Sequence, residues 1–156
     1  MQTPIQLNSS ARLSEHFTLG ELTRSASHPE VYNIPSHEAI ENLRRVCQWL
    51  EVLRQRYNQT GGEIPVVINS GYRSKQLNKK VGGAPNSNHL TGCAVDIRVN
   101  GMEQLIRYAA ILLDYADETH QNFDELLIER NSHGAMWLHF AVKFKGNRRK
   151  VLYLNA

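Results

Sequence analysis

Cysteine is scarce in this sequence of 156 residues, and no long apolar run is present. Two cysteines, Cys47 and Cys93, do not make the disulfide framework on which small secreted domains rely. No stretch approaches the roughly 18 consecutive apolar residues that suggest a membrane-spanning helix, so no membrane span is expected. Residues 1–10 lack the basic start and the apolar segment of a signal peptide, so we expect synthesis in the cytoplasm. Work outside the cell would then require another route out.

Repeats and low-complexity linkers are also missing. Hydrophobic residues make up 41% of the chain and charged residues 21%, which is typical of a globular protein. The length suits one domain with its own core, so residues 1–156 are expected to form a single domain, and we expect a monomer.

The net charge of +3 comes with a basic cluster near the end of the chain, formed by Lys143, Lys145, Arg148, Arg149 and Lys150. Such a cluster either contacts a polyanion, such as nucleic acid or an acidic cell-wall polymer, or forms a solvated edge that discourages strand pairing. We favour the solvated edge and expect no nucleic-acid partner, because the sequence offers no helix or aromatic platform to present to bases.

Apolar periodicity predicts two long helices. One follows Ser36, a favourable N-cap, and runs to about residue 57, and the second has its apolar stripe over residues 102–116. Shorter signals predict a helix that begins at Thr18, where a threonine and a glutamate have capping-box spacing, and one helical turn over residues 75–80.

The other periodic segments are short and suit β-strands. They cover residues 66–69, the stretch around Asp96, and three closing segments at 125–130, 136–143 and 151–154. This pattern predicts an α+β fold in which helices pack on one face of a small, mostly antiparallel sheet, with the other face partly open.

The segment SNHLTGCAVDIRV, residues 87–99, places His89 in a loop seven residues before Asp96 in a strand pattern. Asp96, His139 and Glu129 each alternate with apolar residues, so one open sheet face could gather these three side chains and that of His89. Two imidazoles and a carboxylate suit Zn²⁺ and leave a fourth position for water. Spacing alone leaves this metal site and a chance grouping of histidines equally open, because no His-x-x-x-His or Cys-x-x-Cys pair is present.

The stretch SNHLTGCAVD has the form Ser-x-His-x-x-Gly-x-Ala-x-Asp, which resembles the zinc-binding signature of the D-alanyl-D-alanine carboxypeptidase family. That family includes phage L-alanyl-D-glutamate endopeptidases and shares its fold with the hedgehog signalling domain. The segments FTLGELTRS, SGYRS, GGAPNSNH, FDELLIE and WLHF are similar, in order, to the family's small single-domain branch.

The resemblance implies that His89, Asp96 and His139 hold one Zn²⁺, which activates water for attack on a scissile carbonyl. It further implies that Arg73 engages the substrate through its planar fork and that Ser87, also expected at the substrate site, shapes the loop that presents His89. The implied substrate is the peptidoglycan stem peptide, cut by either a carboxypeptidase or an endopeptidase activity. A chain without a signal peptide would suit a prophage lysis enzyme that other proteins release to the cell wall.

One position departs from the family pattern. Many members carry a general-base glutamate three residues before the last histidine ligand, where this chain has Met136. The base must then be either Glu129, on the neighbouring strand, or His133, in the connection before the last ligand. We favour Glu129, because a carboxylate beside Zn²⁺ can take the proton of water and pass it to the leaving amine. The alternative function is a non-catalytic cell-wall or phage-structural module that retains the fold and the metal.

Overall fold

The computed structural model describes residues 8–25 and 27–156, so most of the segment considered above as a signal peptide lies outside the described residues. Within these residues the chain forms three helices, one 3₁₀ turn and five strands. The helices are α1 (His37–Tyr57), α2 (Lys75–Lys80) and α3 (Gly101–Thr119), and the 3₁₀ turn is Asn88–Thr91. The strands are β1 (Ile68–Ser70), β2 (Ala94–Arg98), β3 (Glu125–Arg130), β4 (Met136–Ala141) and β5 (Lys150–Asn155). None of the described helices is long and apolar enough to cross a membrane.

The strands form one sheet in the order β1-β2-β4-β3-β5. Neighbouring strands run antiparallel except β3 and β5, which are parallel. The predicted class, α+β with a mostly antiparallel sheet, is confirmed.

The first long helix begins at its expected cap. The Oγ of Ser36 accepts a hydrogen bond of 3.1 Å from the backbone N–H of Ala39, a donor that has no partner within the helix. The apolar stripe of α1, which includes Leu43, Leu50 and Leu53, is fully buried. Burial of each such side chain stabilises the fold by roughly 1.5–3 kcal/mol, so the stripe fixes the helix against the sheet.

The hydrophobic core packs helices α1 and α3 against strands β2 and β4. Val95 and Ile97 of β2 and Leu138 and Phe140 of β4 are buried in the same cluster as the inner faces of α1 and α3. The ring of Phe140 lies 5.3 Å from that of Trp49 on α1, measured between centroids. Strands β2 and β4 are therefore held rigidly, and so are the residues that alternate with these core positions.

The predicted helix at Thr18 is wrong, although its capping contact forms. The backbone N–H of Glu21 donates to Thr18 Oγ1 at 3.3 Å, but the segment continues as turns. Its backbone groups are used elsewhere: Gly20 N–H donates to the carbonyl of Ser9, and the carbonyl of Leu22 accepts from Tyr72 N–H. Two i→i−4 bonds form, from Leu22 N–H to Thr18 and from Arg24 N–H to Gly20, but they are not consecutive, so the segment has no continuous helical ladder.

Several predicted boundaries shift. Strand β1 covers Ile68–Ser70 rather than 66–69, β4 ends at Ala141 rather than 143, and β5 extends from Lys150 to Asn155. In α3, Met102 and Ile106 are exposed, whereas Tyr108 is buried. The predicted apolar stripe over residues 102–116 thus includes exposed positions, and the buried residues of α3 are Leu105, Tyr108, Leu112 and Ala116.

The late basic cluster is a solvated edge only in part. Lys143 and Arg148 form ion pairs with Asp124, and Arg149 forms one with Asp117. Lys145 and Lys150 are exposed. These ion pairs fasten the segment before β5 to Asp124, just ahead of β3, and to Asp117 of α3, in addition to lining a solvated edge.

Candidate metal centre

Three of the predicted site residues converge between β2 and β4. The antiparallel register pairs Asp96 directly with His139, and Asp96 Oδ1 lies 3.1 Å from His139 Nδ1. The same oxygen lies 3.3 Å from Nε2 of His89. Each residue offers one donor atom, and these atoms lie within 4.8 Å of one another. All three residues are buried, so the group is a shielded cluster of metal-ligating side chains.

His89 is presented by the 3₁₀ turn, and its ring is fixed by one carbonyl. Ser87 caps the turn, since its Oγ accepts a hydrogen bond of 3.1 Å from the backbone N–H of His89. His89 Nδ1 lies 2.7 Å from the carbonyl oxygen of Gly71. A carbonyl can only accept, so Nδ1 carries a hydrogen, and Nε2 is the ring nitrogen that faces Asp96 and could bind a metal.

Gly92 ends this turn in a conformation that other residues rarely adopt. Its φ is +77°, and a Cβ at this position would lie 2.5 Å from the carbonyl oxygen of Ala39 in α1. Both facts exclude a side chain. The glycine of the sequence signature therefore lets the turn that carries His89 pack directly on α1.

His139 has a carboxylate at each ring nitrogen. Nδ1 faces Asp96, and Nε2 lies 3.0 Å from Oε1 of Glu125. Burial acts to lower the pKa of His139, but the hydrogen bonds to Asp96 and Glu125 outweigh it and raise the pKa to about 9. Burial acts to raise the pKa of Asp96, but the charge of His89 and the hydrogen bond from His139 hold it well below its usual range.

Arg73 donates hydrogen bonds from three of its nitrogens to neighbouring side chains, one of which is Asp96. Nη2 donates to Asp96 Oδ2 at 3.2 Å, Nε to Ser70 Oγ at 3.1 Å, and Nη1 to Asn78 Oδ1 at 3.1 Å. A Cβ at Gly83 would lie 2.0 Å from the same Asn78 oxygen, so the glycine-rich loop packs closely against this network. Arg73 thus orients the carboxylate of Asp96.

The two candidates for a general base lie in different places. Glu129, on β3, accepts a hydrogen bond from Trp137 Nε1 and lines the cleft beside the cluster. Burial, together with the charge of Asp96, raises the pKa of Glu129. His133 is exposed in the turn that joins β3 to β4. Among the described residues that line the cleft, Glu129 is present and His133 is not.

The cluster forms part of the wall of a cleft with a volume of about 460 Å³. Ser87, Arg73 and Lys150 also line it. Imidazole nitrogens with a carboxylate oxygen form a donor set that Zn²⁺ prefers, and three protein ligands beside a cleft leave a position for water or substrate. The atoms of His89, His139 and Asp96 that point away from the cluster contact Gly71, Glu125 and Arg73, an arrangement typical of groups that orient metal ligands. The residues present fit zinc.

Sequence reasoning missed Glu125. His139 pairs with Leu127 of β3, so Glu125 and Glu129 flank it diagonally, two positions to either side. The period-two alternation of strand β3 places Glu125 and Glu129 on the same face of the sheet. This alternation was the sequence signal that could have marked Glu125 as a neighbour of His139. The register that brings Glu125 to the outer nitrogen of His139 is a long-range property, which the local pattern does not contain.

Comparison with known proteins adds a family and one relative. The description of the family whose profile matches residues 15–123 is Peptidase M15. The matched range contains His89 and Asp96 and ends before β3 and β4. The zinc D-Ala-D-Ala carboxypeptidase of Streptomyces albus G is 33% identical to this chain over 82 residues, which cover 53% of this chain and 31% of that protein. The match therefore spans about a third of the length of this curated relative.

Proposed function

This chain belongs to the Peptidase M15 family, and on that premise we propose that it is a zinc-dependent peptidase that hydrolyses peptidoglycan stem peptides. The observation that carries the proposal is the convergence of His89, Asp96 and His139, each of which offers one donor atom within 4.8 Å of the other two. When bound by these three residues, zinc would polarise the scissile carbonyl and lower the pKa of water. The name of the relative from Streptomyces albus G supports both the metal and the substrate class.

We place the metal centre on the sheet face that is turned away from the helices. Asp96 and His139 alternate along their strands with Val95, Ile97 and Leu138, which are buried in the core. Successive side chains of a strand point to opposite faces, so this alternation supports the placement. A substrate would then reach the metal without crossing the core.

Glu129 is proposed as the general base and proton carrier. Its carboxylate lies in the wall of the cleft, and burial raises its pKa, which favours uptake of a proton from water. The same carboxyl group would then pass the proton to the leaving amine. His133 remains the rival, since it belongs to an exposed turn that would have to close over the cleft.

Arg73 and Ser87 are proposed to contact the substrate. A guanidinium has five N–H groups, and Arg73 directs three of its nitrogens to protein acceptors. The remaining N–H groups at the cleft wall would engage a carboxylate or a carbonyl of the stem peptide. Ser87, which also lines the cleft, would shape the adjacent wall through the turn that it caps.

The proposal covers either a carboxypeptidase or an endopeptidase activity. A second candidate is a non-catalytic module that retains the fold and the metal, and Met136, at the position of the family's usual glutamate, favours it. The test is incubation of the protein with purified peptidoglycan and with a synthetic stem pentapeptide, followed by analysis of released D-alanine and of new amino termini.

We expect cleavage of at least one of the two substrates, its loss on treatment with a zinc chelator, and its return when zinc is restored. Release of D-alanine alone would identify a carboxypeptidase, and new internal amino termini an endopeptidase. A protein that binds zinc and leaves both substrates intact would be the non-catalytic module. Cleavage that resists the chelator would contradict a zinc-dependent mechanism.

A further inference from the structure

We propose that Glu125 is a positioning residue for the metal centre: it holds the outer nitrogen of His139 and thereby directs Nδ1 towards the metal. This inference rests on the proposed function for its choice of metal ligands. The contact is a short, buried one, with His139 Nε2 3.0 Å from Glu125 Oε1 and both side chains largely shielded from solvent. An ionised carboxylate only accepts, so Glu125 keeps a hydrogen on Nε2, and Nδ1 is the nitrogen that a metal can bind once the ring is neutral.

Glu125 is itself held in place by Asn88. The side-chain amide of Asn88 donates to Glu125 Oε1 and to Asp124 Oδ2, both at 2.8 Å. Asn88 begins the turn that carries His89, so a single amide connects the supports of the two histidines. A displacement of the turn would therefore move the carboxylate that orients His139.

Asp124 anchors this connection because it is fully buried and strongly bound. Arg148 donates to it from its backbone N–H at 3.0 Å, from Nε at 3.1 Å and from Nη2 at 2.8 Å. Arg148 Nη2 also lies 3.5 Å from Glu125 Oε2. A carboxylate with two bonds from one guanidinium is fixed in orientation, so Asp124 can hold the amide of Asn88 in one position.

Glu125 and Glu129 therefore have different roles despite their symmetrical positions around His139. Glu129 contacts Trp137 at the cleft wall, whereas Glu125 directs Oε1 to His139 and Asn88. A hydrogen-bond acceptor behind a metal-binding histidine typically changes metal affinity by about 10- to 100-fold. The contribution of Glu125 should thus be measurable as zinc affinity, separately from turnover.

The test compares Glu125→Ala and Glu125→Gln with the unaltered protein and with Glu103→Ala as a control. Glu103 is an exposed residue of α3 that pairs with Arg107, so its removal deletes a carboxylate remote from the site. Zinc affinity is measured by competition with a chromogenic chelator. We expect Glu125→Ala to weaken zinc binding about 10- to 100-fold. We expect Glu125→Gln, which retains an acceptor, to remain within a few-fold, and Glu103→Ala to have no effect.

A second measurement on the metal-free protein separates this inference from the proposed function. The Nε2–H proton of His139 should give a ring N–H resonance protected from exchange with water, in the unaltered protein and in Glu125→Gln but not in Glu125→Ala. If the Ala variant does not fold, Glu125→Met replaces it, because Met retains volume without an acceptor.

Two results would overturn the inference: unchanged zinc affinity in Glu125→Ala, or equal losses in the Ala and Gln variants. If the unaltered protein binds no zinc, the proposed function fails, and the Nε2–H resonance alone then decides whether Glu125 positions His139.

Discussion

Asp96 and His139 are direct partners across β2 and β4, and Oδ1 of the one lies 3.1 Å from Nδ1 of the other. Residues paired in this way are the nearest side-chain neighbours that a sheet offers. A slip of one residue in this register would turn one of the two side chains to the opposite face of the sheet. The apolar residues on either side of them therefore determine the geometry of the candidate metal centre.

The first prediction concerns Arg73. Arg73→Lys retains the positive charge but cannot serve Asp96, Ser70 and Asn78 at once, and it loses the fork that would bind a substrate carboxylate. We expect turnover of stem peptides to fall at least about tenfold, which corresponds to about 1.4 kcal/mol, while zinc supplied in excess still binds. Steady-state kinetics and metal analysis check this, with the exposed Arg107→Lys as the matched control. Kinetics unchanged from those of the control would assign Arg73 a purely structural role.

The second prediction distinguishes the two candidate bases. Glu129→Gln retains the shape of the side chain but cannot accept a proton, and a positioned base contributes roughly a hundred- to ten-thousand-fold. The Gln variant should therefore bind zinc normally and lose at least about a hundredfold in turnover. His133→Ala should stay within a small factor of the unaltered protein. The opposite ranking would transfer the role to His133, and small losses in both would favour the non-catalytic module.

The third prediction uses two glycines with similar backbones. Gly92 and Gly82 have φ values of +77° and +74°, but a Cβ at Gly92 would meet the carbonyl oxygen of Ala39, whereas nothing lies within 4 Å at Gly82. Gly82→Ala should cost about 1–2 kcal/mol of unfolding free energy, the strain of the left-handed conformation. Gly92→Ala should cost clearly more and also weaken zinc binding, because the turn that carries His89 must move. Denaturant unfolding of both variants checks this, and equal losses would show that close packing on α1 is unimportant.

The fourth prediction is that zinc displaces a proton. The pKa of His139 is raised to about 9 in the metal-free protein, so this ring is protonated at neutral pH, whereas a histidine must be neutral to bind a metal. Zinc binding at pH 7 should therefore release about one proton from His139, and the release should disappear as the pH rises above 9. Calorimetry in buffers of different ionisation enthalpy measures the number of protons. Binding at pH 7 without proton release would mean that His139 is neutral before zinc arrives.

The same shift has a consequence for stability without metal. A histidine whose pKa is raised by folding adds stability that is complete below its ordinary pKa of about 6.5. That contribution is lost as the pH rises through the folded value of about 9. The contribution of His139 to the unfolding free energy of the metal-free protein should therefore be smaller at pH 9.5 than at pH 6.5.

Local patterns were sufficient for much of the fold and for part of the site. Helical spacing predicts α1 and α3, and strand alternation predicts that Asp96 and His139 share a face; the structure brings both together with His89. The ligand roles of these residues remain predictions. Local patterns fail at Thr18, where contacts with distant segments override a capping signal, and this is a tertiary effect that spacing does not contain.

The residues that hold the candidate metal-binding side chains in place could not be predicted from local sequence patterns. Glu125 reaches His139 because of the β3–β4 register, and Gly71 reaches His89 from a loop 18 residues earlier in the chain. The pairing of Arg148 with Asp124 joins positions 24 residues apart. Each contact depends on how the elements pack, so these supports became evident only once the fold was known.

Metal analysis of the purified protein and of two ligand variants tests the central claim most directly. We expect about one zinc ion per chain in the unaltered protein and in His133→Ala, since His133 lies outside the donor cluster. His89→Ala and His139→Ala each remove one of three ligands and should retain almost no zinc. Circular dichroism should show that both remain folded, because the apolar residues of the core are unchanged. Full zinc occupancy in either folded histidine variant would contradict the assignment of this cluster as the metal centre.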